Sequence, residues 1–215
     1  ANYNLKEIES LAPSELYKEE TNNTGAYKWA SLSTLISTKV DHHAIGQGEL
    51  VSSWHEGKRA FYKFETKQPV RAIPTWLSVP YAPFSQKTQG TTLNVYSPQN
   101  NEAAQINIKA MADTLTWFAE NITPYSGAQL NLVAAPDIGS GGYALPQIVL
   151  IKHTVGFRAK PSTDAGFDQR YRRAVHETAH QWFGHGLGNG AHGERSFLSE
   201  SLAKYIELVT IEKHY

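Results

Sequence analysis

The chain has 215 residues, 40% apolar and 19% charged, which fits one or two folded domains and excludes a disordered or fibrous polymer. Twenty Lys and Arg balance twenty Asp and Glu, and no block of like charge occurs, so a nucleic-acid partner is excluded. The absence of cysteine excludes thiolate-ligated metals, disulfides and cysteine nucleophiles, and leaves the compartment open.

No apolar run reaches the ~18 residues that span a bilayer, and the first residues, ANYNLKEIES, lack a signal-peptide pattern. Starting at Ala1 and stopping at Tyr215 within a helical pattern, the chain reads as an excised piece whose flanks could carry membrane segments.

Residues 1 to about 45 are polar, with NNTG punctuation and the alternation SLSTLIST, and read as a helix followed by a strand. From Glu49 to Ala82, short alternating runs rich in Val, Phe, Tyr and Trp, broken by Gly and Pro, read as β-sheet. The polar, aperiodic PFSQKTQGTT marks a domain join near residue 88, giving a β-rich portion over 1–88 and a second unit over 89–215.

In the second unit TLNVYSP reads as a strand, Asn101 to Asn121 as a helix and QLNLVAAP as a strand. IGSGGYALPQIVLI is a glycine turn entering a strand, and it lacks the spacing of a phosphate cradle. Phe167 to Phe183 has helical spacing of apolar residues and stops at Gly184 and Gly186; a further helix starts near Ser196 or Ser199.

The chemistry concentrates in His176-Glu177-Thr178-Ala179-His180. On a helix, His176 and His180 stand one turn apart on one face, and Glu177 sits about 100° round beside them. Two imidazoles that reach one cation, with a carboxylate next to them, form a metal clamp plus a base. The plain alternative is a solvated helix face. It is disfavoured because the helix ends on glycine just after the motif and the next helix brings Glu200 as third ligand for one Zn2+ ion.

A third histidine in the pattern HExxHxxGxxH would need Gly at 183 and His at 186, where the chain has Phe183 and Gly186. His185 falls on the far side of a continuing helix and reads as structural or solvent-facing. His192 and Glu194, in the connecting loop, stay open as alternative ligands. Three protein ligands leave the metal a position for water, as a catalytic site requires, and Glu177 is then the general base of metal-assisted amide hydrolysis. Glu207, seven residues past Glu200, either orients a ligand imidazole or is a solvated surface carboxylate, the commoner case. His42, His43, His55, His153 and His214 lack ligand spacing and read as surface or packing residues.

HETAHQWFGH followed by LSESLAKYIEL resembles the aminopeptidase N family of zinc metallopeptidases, in its HExxHxW helix and its ligand Glu within a W-L-N-E-G-F-A-like stretch. The family usually places that Glu nineteen residues past the second His, where this chain has Ser199. The copies fused to ABC-transporter-type permeases are more similar, sharing LSES, the extra residue, and segments resembling ISTKVDHHAIGQGELVSSW and NITPYSGAQLNLVAAPD. The resemblance implies an α+β fold, with a β-rich portion leading into the N-terminal lobe of a thermolysin-like zinc peptidase domain.

It further implies a peptide substrate. The parent would be a membrane-associated bacterial-type protein with this part in solvent, the extracytoplasmic side being one of the two sides left open. The family's G-x-M-E-N strand corresponds to Gly141, Gly142, Tyr143 and Ala144, expected substrate contacts through their backbone. Ala144 stands where the family's Glu binds the substrate's amino terminus, which puts strict aminopeptidase action in question. The family's oxyanion-stabilising tyrosine would lie beyond Tyr215. A catalytically silent, peptidase-like binding or regulatory module of a membrane transporter is the competing expectation, favoured by Ala144 and opposed by the intact HETAH and Glu200.

Overall fold

The computed structural model describes residues 28–98, 102–159, 168–187 and 197–214. The helix expected near the amino terminus lies outside them.

The first portion is built from antiparallel strands. β1 (Trp29–Ala30) pairs with β6 (Val70–Arg71), and β3 (His43–Gly46) pairs with β7 (Trp76–Val79). β2 (Ser33–Lys39), β5 (Arg59–Glu65) and β4 (Glu49–Glu56) form a three-stranded sheet in that order. Alternation in these runs places Ile36 and Phe64 on a buried face with Ala44.

A five-stranded sheet follows, in the order β11-β12-β10-β9-β8. β8 (Phe84–Thr88) and β9 (Thr91–Tyr96) form a hairpin turned by Gln89 and Gly90, both at positive φ. The join expected near residue 88 falls at this hairpin, and the stretch read as an aperiodic linker contains β8. β8 is an edge strand and mostly exposed, so its side chains are polar and carry no apolar period.

β10 (Gln129–Ala135) runs parallel to β9 and to β12 (Ile148–Lys152), and β11 (Gly142–Leu145) runs antiparallel to β12 at the other edge. β9, β10 and β12 are the most apolar runs because both their faces are covered. On one face, α1 (Glu102–Asn121) presses Ile108, Met111, Leu115 and Phe118 onto Leu93, Val95, Leu130 and Leu132. On the other, Tyr96, Val133 and Ile148 pack with Ile45 and Val79 of the first portion. The architecture is mixed, strand-rich with a few helices, and compatible with the α+β class.

After the short α2 (His153–Gly156), α3 (Gln169–Ala179) starts at Asp168, whose carboxylate accepts from the Arg170 backbone N–H at 2.8 Å. α3 packs against α1 and beside β11 and β12. Regular helix stops at Ala179, four residues earlier than the apolar spacing predicts. Gln181 and Trp182 donate instead to Thr178 and Ala179 in tighter turns. Trp182 then stacks on Phe118 at 3.9 Å between ring centroids and donates to the Thr123 carbonyl at 3.0 Å. That side chain ties the end of α3 to α1. A wide i→i+5 turn over Phe197–Ser201 leads into α4 (Leu202–His214).

Candidate metal centre

α3 and its C-terminal cap carry His176 and His180 into one cleft of about 460 Å³, with their rings perpendicular and 4.9 Å apart. The wide turn before α4 presents Glu200 to the same point. Glu200 Oε2 lies 3.3 Å from His176 Nε2, and Glu200 Oε1 lies 3.5 Å from His180 Nε2. The ligating atoms of all three residues fall within 4.8 Å of one another.

The other nitrogen of each imidazole explains this aim. His180 Nδ1 lies 3.0 Å from the Phe183 carbonyl, which can only accept, so Nδ1 holds the proton and Nε2 is left as a lone pair. His176 Nδ1 is buried and lies 3.3 Å from Glu207 Oε2, without a hydrogen bond of regular geometry, and the carboxylate favours the same tautomer. Glu207 is 3% exposed, in contrast to the surface carboxylate that is the commoner reading. Burial raises its affinity for a proton. The His176 contact, a hydrogen bond from Lys204 and the charges of Arg172 and Lys204 outweigh that, holding it below the usual carboxylate range.

Zinc fits this donor set. Bonds of ~2.0–2.1 Å in tetrahedral geometry place ligand atoms roughly 3.4 Å apart, close to the 3.3 and 3.5 Å separations found here. Two neutral imidazole nitrogens and one carboxylate are also its usual catalytic ligand chemistry.

Glu177 is 4% exposed and lies against the start of β11. A Cβ at Gly142 would collide with its carboxylate, so glycine there is what lets the edge strand and the α3 carboxylate approach. Arg173, one turn earlier, is 3.3 Å from Glu177 Oε1. Burial pushes the Glu177 carboxyl above its ordinary range, against the opposing influence of His176, His180 and Arg173.

Gly141, Gly142, Tyr143 and Ala144 line the cleft from the other side, with Tyr143 exposed. His185, expected on the far side of a continuing helix, lines the cleft as well, and Arg71 and Arg173 line it without having been singled out from sequence. His185 hydrogen-bonds to the Ala144 backbone, and burial lowers it to about 4, so it stays neutral. Arg71, from β6, donates to the Gly184 carbonyl. Regular helix ends at Ala179 and the chain reverses after it, so helical periodicity aimed His185 the wrong way; Arg71 comes from another sheet altogether. His192 and Glu194 lie outside the described residues.

The β11–β12 turn is held from two directions. Gln181, next to His180, donates to the Leu145 carbonyl at 3.0 Å and accepts from the Gln147 N–H at 2.7 Å. Gln47 donates to the Pro146 carbonyl at 3.0 Å, and the Gly48 N–H donates to Gln147 Oε1 at 2.5 Å. Both portions of the chain therefore fix the strand that borders the cleft.

Three curated proteins are similar in sequence. Endoplasmic reticulum aminopeptidase 2 of Homo sapiens is 26% identical over 132 residues, 60% of this chain and 14% of that protein. Aminopeptidase M1-B of Oryza sativa subsp. japonica is 28% identical over 130 residues, 58% of this chain and 14% of that protein. Aminopeptidase M1-A of the same rice is 31% identical over 103 residues, 45% and 11% respectively. No family model matches the chain. The chain thus spans a small part of the relatives it matches, and these distant likenesses support a relation to the aminopeptidase N family and a peptidase-like function.

Proposed function

We propose that this chain is the metal-holding part of a zinc-dependent peptidase, with His176, His180 and Glu200 as ligands and Glu177 as general base. The observation that carries the reading is the convergence of both Nε2 atoms on one carboxylate at 3.3 and 3.5 Å, with a buried carboxylate beside them. Zinc bound there would polarise a water and the scissile carbonyl.

The chain's own residues supply the rest. Glu177, raised by burial, accepts the proton of the attacking water and passes it to the leaving nitrogen. Glu207 and the Phe183 carbonyl hold the two imidazoles in the ligating tautomer. Among the described strands β11 is the sheet edge beside this group, and it offers backbone partners to an extended peptide through Gly142, Tyr143 and Ala144. The family resemblance supports a thermolysin-like lobe and a membrane-associated parent related to the permease-fused copies.

A second reading, a silent peptidase-like binding or regulatory module of a transporter, is favoured by Ala144, which offers no anchor for a substrate ammonium. The two readings separate on one comparison. Zinc content and peptide hydrolysis are measured for the full-length protein and for Glu177→Gln. The enzyme reading expects about one zinc in both and a loss of at least about 10²-fold in hydrolysis for the variant. Bound zinc with no turnover dependent on Glu177 would establish the silent module instead.

A further inference from the structure

β11 is the strand that would carry a substrate backbone, yet little of its own packing fixes it, since its four residues are all half-buried or exposed. What holds it is the turn that follows. Proline at the first turn position, Pro146, sets φ at about −65°. Gln147 takes a φ of 64° at the second, the combination of a type II turn, which ordinarily has glycine there. A glutamine in that conformation persists where its surroundings over-determine it. The Gln147 N–H donates to Gln181 Oε1 at 2.7 Å, its carbonyl accepts from the Asn131 N–H at 3.1 Å, and its Oε1 accepts from the Gly48 N–H at 2.5 Å.

The second anchor is Gln47, 1% exposed and 99 residues from Pro146 in the chain. Its oxygen accepts from the Thr75 N–H at 2.9 Å while its nitrogen donates to the Pro146 carbonyl at 3.0 Å, so one amide bridges the two portions. Its seat is firm. Gly48 runs at a φ of 92° against the Glu65 backbone, where a Cβ would collide, so this segment lies directly on β5. The turn is thus tied to the end of the histidine helix through Gln181 and to the β-rich portion through Gln47.

We infer that Gln47, acting with Gln147, is a positioning residue for peptide binding: it sets where β11 stands relative to His176 and His180. This rests on the peptidase reading above, and it gives the β-rich portion a task although that portion supplies neither ligand nor base. Held by Gln181 alone, the turn can pivot about its contacts with that side chain. The strand edge then leaves the pairing geometry, while the imidazoles stay where Glu207 and the Phe183 carbonyl hold them. The loss falls on the peptide and not on the metal.

Two zinc-binding probes separate these effects. Acetohydroxamate reaches the metal only; acetyl-trialanine hydroxamate also lays a peptide backbone beside β11. Both are titrated calorimetrically into full-length, zinc-loaded protein, unaltered or carrying Gln47→Leu or Gln147→Gly. In each variant acetohydroxamate should bind within about twofold of the unaltered protein and the peptide probe about tenfold more weakly, equivalent to one or two backbone hydrogen bonds. Gln147→Gly carries the test if Gln47→Leu does not fold, because glycine suits the positive φ while the tie to Gly48 is cut. A peptide probe that keeps its affinity, or that weakens only as much as acetohydroxamate, overturns the inference. Failure of both probes to bind the unaltered protein removes the metal site and this inference with it.

Cleavage of an acetylated peptide by the same proteins keeps the two claims apart. KM should rise about tenfold in the variants, with kcat within about threefold. A fall in kcat at unchanged KM removes the positioning role and leaves the peptidase reading; a weakened peptide probe without cleavage by the unaltered protein upholds Gln47 and removes the peptidase reading.

Discussion

His176 Nδ1 stands 3.3 Å from Glu207 Oε2, a contact between the middle of α3 and the middle of α4. Glu207 Oε1 is in turn 2.6 Å from Arg172 Nε and 2.7 Å from Lys204 Nζ. One buried carboxylate thus fixes an imidazole and balances two cations. Glu207→Gln keeps the shape but cannot hold both roles. Zinc affinity, read by competition with a chelator, should fall about 10–100-fold. Stability should drop by about 1–3 kcal/mol, because Arg172 and Lys204 lose a shared partner.

Gly142→Ala places a methyl group where the Glu177 carboxylate lies. Either β11 or Glu177 must shift, at a cost of about 1–3 kcal/mol. Zinc content should stay near that of the unaltered protein while hydrolysis falls at least about tenfold, since the base moves and the three ligands do not. Parallel loss of zinc would show that the strand supports the ligands as well.

Gln181→Leu leaves the Leu145 carbonyl and the Gln147 N–H without the side chain that satisfies both. About 1–3 kcal/mol for each unsatisfied group gives a loss of about 2–6 kcal/mol in urea unfolding. Gln47→Leu acts on the same turn from the first portion and should be destabilising in the same direction, its side chain donating to Pro146 and accepting from Thr75. Faster amide exchange confined to β11 and the β11–β12 turn is the expected signature of both variants.

His185 sets an acid limit. Its folded value of about 4 lies below the ordinary 6.5, so the unfolded chain binds the proton more readily. The stabilisation is therefore full above the unfolded value of 6.5 and is lost progressively as pH falls toward 4. It amounts to at most about 3 kcal/mol. Metal-free protein should lose stability between about pH 7 and about pH 4.5, and His185→Gln should show a shallower loss over that window.

Much of the fold was legible from local patterns. α1 begins within a residue of where its spacing places it, because its apolar side chains recur on the face that meets the sheet. β9, β10 and β12 follow from their apolar runs. β8 was missed because an exposed edge strand has no buried face to write into the sequence. The end of α3 was overrun because Trp182 and Phe183 are buried from a turn that mimics helical spacing.

The sequence by itself determined that His176 and His180 share a helix face with Glu177 beside them, since a spacing of four residues on a helix sets direction without help from the rest of the chain. It also determined that the glycine turn leads into β-structure, while packing folds the single expected strand into the β11–β12 hairpin. Tertiary packing alone decided that Glu200 meets both imidazoles and that Glu207 is buried behind His176. It likewise decided that His185 bonds to the Ala144 backbone and Arg71 to the Gly184 carbonyl, and that Gln47 and Gln181 clamp one turn. The physical reason is separation along the chain: periodicity records which way a side chain leaves its own element, whereas convergence depends on how elements distant in sequence pack together. The histidine helix was readable as a motif, but the character of the cleft around it is a property of the assembled fold.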